Sequence, residues 1–275
     1  MSVVNLLPSR KDNSITHKVL SRNKIKYLGS LKIKKFRNIH GQFIIEGDKI
    51  VRDILHDGHT SISLLIATES WMAANQVRRS IRVKEIIEAD MHDLSRISSL
   101  ETPAEVMAIL DVEQPLIDFS EIANSLSIAL DNIQDPGNLG TIIRTADWFG
   151  IQNIFCSNGC TDCYNPKVVQ ASMGALLHVK THYTDLPELL GKLSENPDYV
   201  VFGTFMEGQL AFEIPPVRKG IVVFGNESRG ISDDLMPFIR SRITIPSVGN
   251  VLRHVESLNV ASAVAIVCSV LTMKD

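Results

Sequence analysis

Five polar side chains in the last half of the chain stand in apolar surroundings where chemistry could be done. Asn138 and Arg144 fall within NIQDPGNLGTIIRTADWFG (132–150). Glu227 falls within VVFGNESRGIS (222–232). Ser257 and Asn259 fall within IPSVGNVLRHVESLNVASAVA (245–265). Thr141, Arg144 and Thr145 lie opposite Leu139, Ile142, Ile143, Ala146 and Phe149 in a helical pattern. An amide, a hydroxyl and a guanidinium therefore share one end of a helix backed by core. Such a donor-rich helix start suits an RNA phosphate and its ribose. Each residue also has an ordinary structural reading. Asn138 and Ser257 would serve as N-caps, Arg144 as half of a surface ion pair, Glu227 as a cap for a helix opening at Ser232, and Asn259 as a loop-ordering amide. Asn259 is the hardest to explain that way, because an amide in the first turn of an apolar helix needs partners.

Turns and strands must hold these groups. Asp135-Pro136-Gly137 is turn chemistry after a strand, and Gly150 is a natural stop after the helix. Val222-Val223-Phe224 reads as a buried strand entering a loop bounded by Gly225 and Gly230, where a ligand could approach the backbone closely. The loop is neither a P-loop nor a dinucleotide fingerprint, since no Lys-Ser/Thr follows and GxGxxG is absent. Second-half strands are expected at 127–130, 153–156, 178–182, 200–205, 221–224 and 242–245, with helices between them and a long helix at the end. Continuous apolar strands alternating with helices predict an α/β fold with a parallel sheet covered on both faces. The first half reads as a smaller α/β unit. Ile25, Leu28, Leu31 and Ile33 mark a short basic helix, strands are expected at 42–46, 61–67, 83–87 and 105–110, and helices at 47–56, 71–77 and 91–100. The expected organisation is a flexible basic tail (1–14), a first domain (15–111), a linker carrying Pro115 (112–122) and a second domain (123–275).

The 275 residues hold 28 Lys+Arg and 31 Asp+Glu, with 44% hydrophobic and 21% charged content. This is ordinary for a soluble globular protein, and no apolar run reaches the roughly 18 residues of a membrane span. No signal-peptide pattern opens the sequence, so a cytoplasmic protein with no membrane partner is expected. The net charge of −3 conceals an asymmetry: the first forty residues balance at +9, leaving −12 on the rest. A basic arm on an acidic body fits a polyanion, and Arg22, Lys24, Lys26, Lys34, Lys35 and Arg37 are the candidate RNA contacts. Aromatics are sparse there (Tyr27 and Phe36), so base stacking is not the obvious mode. Cys156, Cys160 and Cys163 cluster around a CxxC with no second pair to complete a zinc set. Reduced thiols and no metal are expected.

In this order and spacing the three segments resemble the motifs of the SpoU (TrmH-like) family of RNA 2′-O-ribose methyltransferases, in the SPOUT superfamily. Pro166-Lys-Val-Val and Ala171-Ser-Met-Gly resemble the family's intervening helix. Asn23-Lys-Ile-Lys, Phe43-Ile-Ile-Glu-Gly and Glu101-Thr-Pro are similar to its substrate-binding domain. The resemblance implies a C-terminal parallel-sheet domain with a deep trefoil knot, which ordinary connection rules disfavour. It implies a smaller N-terminal α/β domain like the ribosomal-protein RNA-binding folds. It implies S-adenosylmethionine as cofactor, a homodimer, and methyl transfer to a ribose 2′-hydroxyl of structured RNA, 23S ribosomal RNA ahead of transfer RNA. By matching position it makes Asn138, Arg144, Glu227, Ser257 and Asn259 catalytic, and it gives Thr204, Gly225, Ile245 and Leu258 to the cofactor. Arg144 would orient the target nucleotide, with Asn138 and Glu227 fixing it. The segment 247–256 is longer than the family's usual loop, and Gln170 stands where a basic residue is common. Rival readings are a knot enzyme that methylates a base nitrogen, a tRNA 2′-O-methyltransferase, and a non-catalytic RNA-binding or ribosome-assembly factor.

Overall fold

The computed structural model describes residues 20–75, 82–247 and 257–273. The expected tail (1–14) and positions 248–256 of the expected long loop lie outside the described residues. The chain divides into two units, Met1–Val112 and Glu113–Asp275.

The first unit contains α1 (Arg22–Ser30), α2 (Lys34–His40), β1 (Gln42–Glu46), α3 (Asp48–Asp57), β2 (Leu64–Ala67), α4 (Glu69–Asn75), β3 (Ile86–Glu88), α5 (Met91–Ile97) and β4 (Val106–Asp111). Its sheet runs β1-β4-β2-β3, with β4 antiparallel to both neighbours and β2 parallel to β3. Leu28, Leu31, Ile66, Leu94, Ile97 and Ile109 pack one core. The expected single basic helix is broken in two. Ser21 caps α1 by accepting from the Lys24 N–H, and α2 restarts at Lys34. The break is held by Arg37, which donates to the carbonyls of Leu31 at 2.9 Å and Lys32 at 2.8 Å. Those carbonyls lack helical partners, and a buried guanidinium satisfies them. Arg37 is only 3% exposed. This corrects its place among the phosphate contacts, because its charge is spent on the turn.

The second unit contains α6 (Phe119–Ile122), β5 (Leu126–Leu130), α7 (Pro136–Trp148), β6 (Asn153–Cys156), α8 (Pro166–Ser172), β7 (Lys180–Tyr183), α9 (Leu186–Ser194), β8 (Val201–Leu210), β9 (Gly220–Phe224), β10 (Ser241–Thr244) and α10 (Val260–Thr272). The six strands run β10-β8-β9-β5-β6-β7 and every pairing is parallel. Alternate residues serve opposite faces. Ile128, Leu130, Ile154, Val222 and Phe224 pack under α7, α8 and α10. Ala129, Phe155, Ile221 and Val223 pack with α9 and the turn at 233–238. Ile122 is buried in this second core with Ile117 against it, so part of the expected linker packs with the sheet. At Gly140 a Cβ would lie 2.5 Å from Ala171 Cβ and 2.8 Å from the Val168 carbonyl. Only a glycine lets α7 and α8 approach that closely.

One buried polar residue on β7 sets a pH dependence. His182 Nε2 lies 3.0 Å from Asn153 Oδ1, and its ring stacks on Phe155 with centroids 4.8 Å apart. Burial holds the imidazole below its usual 6.5. Among the described residues Nδ1 has no well-formed partner; the nearby Pro115 carbonyl offsets part of the lowering, Lys180 adds to it and Glu121 opposes it. The unfolded chain therefore takes up the proton more readily than the folded one. His182's stabilising contribution is present above the unfolded value and fades as pH falls through the folded one. His182→Gln is expected to flatten the drop in thermal midpoint between about pH 7 and pH 5, as read by calorimetry beside the parent chain.

Candidate active site

The helix starts explain how three distant segments reach one point. Asp135, not Asn138, caps α7: its Oδ1 accepts from the Asn138 N–H at 2.8 Å, with Pro136 in the first turn. Asn138 sits one turn inside, which frees its side chain. Asn259, not Ser257, caps α10, and its Oδ1 accepts from the N–H groups of Ala261 at 2.9 Å and Ser262 at 3.4 Å. Ser257 lies exposed before it. The freed Asn138 then joins all three segments. Its Nδ2 donates to Glu227 Oε1 at 2.5 Å, and its Oδ1 accepts from Asn259 Nδ2 at 2.9 Å. Glu227 is thus a partner of Asn138 rather than a cap for the turn opening at Ser232.

The ends of this chain of bonds fix its direction. A carboxylate can only accept, and helix N–H groups can only donate. Each amide must therefore donate toward Glu227 and accept from the α10 side. An aspartate at 138 could not give to Glu227, and one at 259 could not give to Asn138. The relay also joins an anion to the positive end of α10, which polarises it favourably.

A second network locks the strand ends beneath, and it had little sequence signal. Asp131 is 3% exposed; its Oδ2 accepts from the N–H of Ser232 at 2.8 Å and from its Oγ at 2.5 Å. Asn226 donates to the Asn132 carbonyl at 3.0 Å and accepts from the Ser228 N–H at 2.9 Å. Cys160 accepts from the Ile133 N–H at 3.3 Å and donates to the Leu130 carbonyl at 3.2 Å. The thiol cluster thus includes a clamp on the turn between β5 and α7. At Gly225 a Cβ would lie 2.2 Å from Gly230 C, so this glycine is required by the loop crossing over itself. That contact gives the glycine a structural reason beside the expected one, a ligand approaching the backbone.

Three of the residues expected at the cofactor fall within or just after neighbouring strands. Thr204 lies in β8, Gly225 follows β9 and Ile245 follows β10, and these strands are adjacent. Thr204 Oγ1 donates to the Val223 carbonyl at 3.2 Å. Leu258 is exposed beside the relay. Among the described residues the backbone groups of Gly225, Ile245 and Leu258 enter no hydrogen bond. Open donors and acceptors outside the carboxyl ends of parallel strands are where such sheets receive ligands. A cleft of about 190 Å³ lies alongside, lined by Asp131, Asn132, Ser157, Gly159, Asp185 and Ser232. It includes none of the four expected cofactor residues and is smaller than the ~300–1,000 Å³ of typical small-molecule sites.

Arg144 is not joined to the relay. It lies exposed on α7, six residues and about 9 Å of rise beyond Asn138. Among the described residues it forms no hydrogen bond or ion pair. The expectation that Asn138 and Glu227 grip Arg144 is therefore replaced by a grip on Asn259. In the first unit Arg22, Lys26, Lys34 and Lys35 are exposed, and Lys24 pairs with Glu85 at 3.2 Å.

The larger unit is an α/β domain of parallel strands whose polar loops converge at their carboxyl ends beside a junction of three helix and loop starts. The model of the SpoU rRNA Methylase family matches residues 125–269, and that of the MRM3-like substrate binding domain matches residues 22–108. The chain belongs to the SpoU rRNA methylase family. It is 28% identical over 245 residues to the 23S rRNA (guanosine(2553)-2′-O)-methyltransferase RlmP of Bacillus subtilis, covering 88% of this chain and 93% of that one. A Porphyromonas gingivalis structure assigned to the TrmH family of RNA methyltransferases superposes with a TM-score of 0.80 at 39% identity, covering 92% of this chain and 98% of the other. An AdoMet-bound rRNA methyltransferase from Sinorhizobium meliloti superposes at 0.79 with 26% identity, covering 92% and 97%.

Proposed function

We propose that the chain transfers a methyl group from S-adenosylmethionine to a ribose 2′-hydroxyl of 23S ribosomal RNA. The observation that carries this reading is the Glu227–Asn138–Asn259 relay, which brings the three motif segments to one point. The relatives named as 23S rRNA 2′-O-methyltransferases support ribosomal RNA over transfer RNA, as does the substrate-binding match over 22–108. The cofactor residues are Thr204, Gly225, Ile245 and Leu258, and the open backbone groups of the last three suit an adenine, a ribose and an amino-acid end. Bound there, S-adenosylmethionine supplies an electrophilic methyl on a sulfonium.

The rest of the work is positioning. A ribose hydroxyl is a poor nucleophile until its proton leaves, and correct alignment of two reactants can contribute roughly 7–11 kcal/mol. Arg144 orients the target phosphate and ribose and stabilises charge on the departing proton's route. It does not accept that proton, because a guanidinium offers N–H donors and no acceptor. The proton passes to a phosphate oxygen or water. Asn138, Glu227, Ser257 and Asn259 hold the loops in register around it. Arg22, Lys24, Lys26, Lys34 and Lys35 meet RNA phosphates. The same proposal includes a C-terminal trefoil knot, a homodimer, no metal requirement and a cytoplasmic location. Among the described residues no helix is long and apolar enough to cross a membrane.

The test is to map 2′-O-methyl groups in total RNA from cells with and without the gene, then to repeat transfer with purified protein and labelled cofactor. One 23S position should lose its methyl in vivo and regain it in vitro. A mark that maps to tRNA, or a methylated base nitrogen by nucleoside mass spectrometry, would overturn the assignment. So would cofactor binding without transfer to any cellular RNA.

A further inference from the structure

Helix α2 is built inside out. Its one buried side chain is Arg37, while Ile39 is 62% exposed and Ile33, at its N-cap, is 55% exposed. A surface helix normally turns its apolar residues inward. Here the guanidinium anchored on Leu31 and Lys32 fixes the helix the other way round. Phe36, Ile39 and His40 then follow one another at i, i+3 and i+4 and share a face.

That face is aromatic and ordered. The Phe36 and His40 rings are near-parallel, at 15° with centroids 6.5 Å apart. Tyr27 of α1 meets His40 edge-on, at 85° and 4.8 Å, and its hydroxyl is held by Gln42. The surroundings are cationic: residues 22–40 hold seven Lys/Arg and no Asp or Glu. Ile33, Ile39 and His40 are exposed, and Phe36 is half-buried beside them; an apolar and aromatic surface of this kind marks a contact, and the charge says the partner is anionic.

We infer that this face binds unpaired ribonucleotides, with bases stacking on Phe36 and His40 and phosphates meeting Lys34 and Lys35. Flat rings offer a surface that any base can use, whereas a duplex keeps its bases stacked on one another and shows mainly phosphates and sugars. The inference rests on RNA being the substrate. It deepens that reading by making the recognised element a single-stranded loop or end. It also revises the expectation that stacking plays little part here, because His40 joins the two aromatics noted from sequence.

The full chain is tested against a labelled unstructured oligoribonucleotide and an RNA duplex of similar charge. Phe36→Ala with His40→Ala should weaken single-strand binding about ten-fold and leave duplex binding unchanged. An oligoribonucleotide carrying 2-aminopurine should be quenched by the parent chain and not by this variant. Lys34→Gln with Lys35→Gln should weaken both probes alike and flatten the salt dependence. Unchanged single-strand affinity in the aromatic variant overturns the inference and leaves the methyltransferase proposal standing. Weaker self-association with unchanged RNA binding would give the face to a second copy of the chain instead. Conversely, aromatic-dependent binding by a protein that transfers no methyl group would sink the proposed function alone.

Discussion

Arg144→Ala is expected to lower single-turnover methyl transfer about a hundred-fold or more while leaving cofactor affinity and thermal midpoint unchanged. The magnitude is that of removing one charge-stabilising or orienting group from a reaction that depends on geometry. The selectivity follows from the structure. Arg144 is exposed on the outer side of α7, opposite the buried Leu139, Ile142, Ile143 and Ala146. It holds no described element in place, so its loss should not loosen the fold. Nor is it on the strands and following loops that bear Thr204, Gly225 and Ile245. Arg144→Lys discriminates charge from shape. A lysine keeps the positive charge and loses the planar fork, so it should recover only a small part of the rate. Full turnover in the alanine variant with saturating cofactor would remove Arg144 from the reaction.

Much of the scaffold is legible in sequence because its strands are short, apolar and regularly spaced. Asn153–Cys156 and Gln42–Glu46 match their expected bounds to the residue. The second unit's other strands match to within a few residues, apart from the exposed end of β8, which runs on to Leu210 in sequence without apolar pattern. What periodicity does not give is which polar group satisfies which orphan. Asp135 and Asn138 both suit a helix start, and only the first turn's geometry decides between them. Likewise Ser257 and Asn259 compete for one cap, and the amide takes it while also reaching Asn138. Arg37 reads as one more cation in a basic arm, since nothing in its spacing reports two uncapped carbonyls beside it. Asp131 carries no signal at all: its partner Ser232 is 101 residues away. These misses share a cause, because a hydrogen bond between distant segments leaves no period in either one.

The relay makes a sharper test than any single deletion. Asn138→Asp is nearly isosteric and should still lower transfer about ten- to a hundred-fold, because small displacements of positioning groups cost that much. Its Oδ1 would still accept from Asn259. Its other oxygen would face Glu227 Oε1, where the parent holds a 2.5 Å hydrogen bond, with two negative charges and no proton between them. Glu227 is exposed and Asn138 half-buried, so the fold should survive with a modest drop in thermal midpoint, and the loss should appear as misplaced loops. Glu227→Gln alone should be mild, since its amide oxygen can still accept from Asn138. If the Glu227 charge itself were needed for transfer, this variant would be as poor as Asn138→Asp. Combining the two changes reverses the polarity of one link. The amide nitrogen introduced at position 227 would donate to the carboxylate introduced at position 138. Every donor would again meet an acceptor, and activity should return to near that of Glu227→Gln. Such recovery is strong coupling in a double-mutant cycle, and it arises only if the two side chains meet in the working enzyme. A double variant no better than Asn138→Asp would show that they do not, and the three segments would need some other junction.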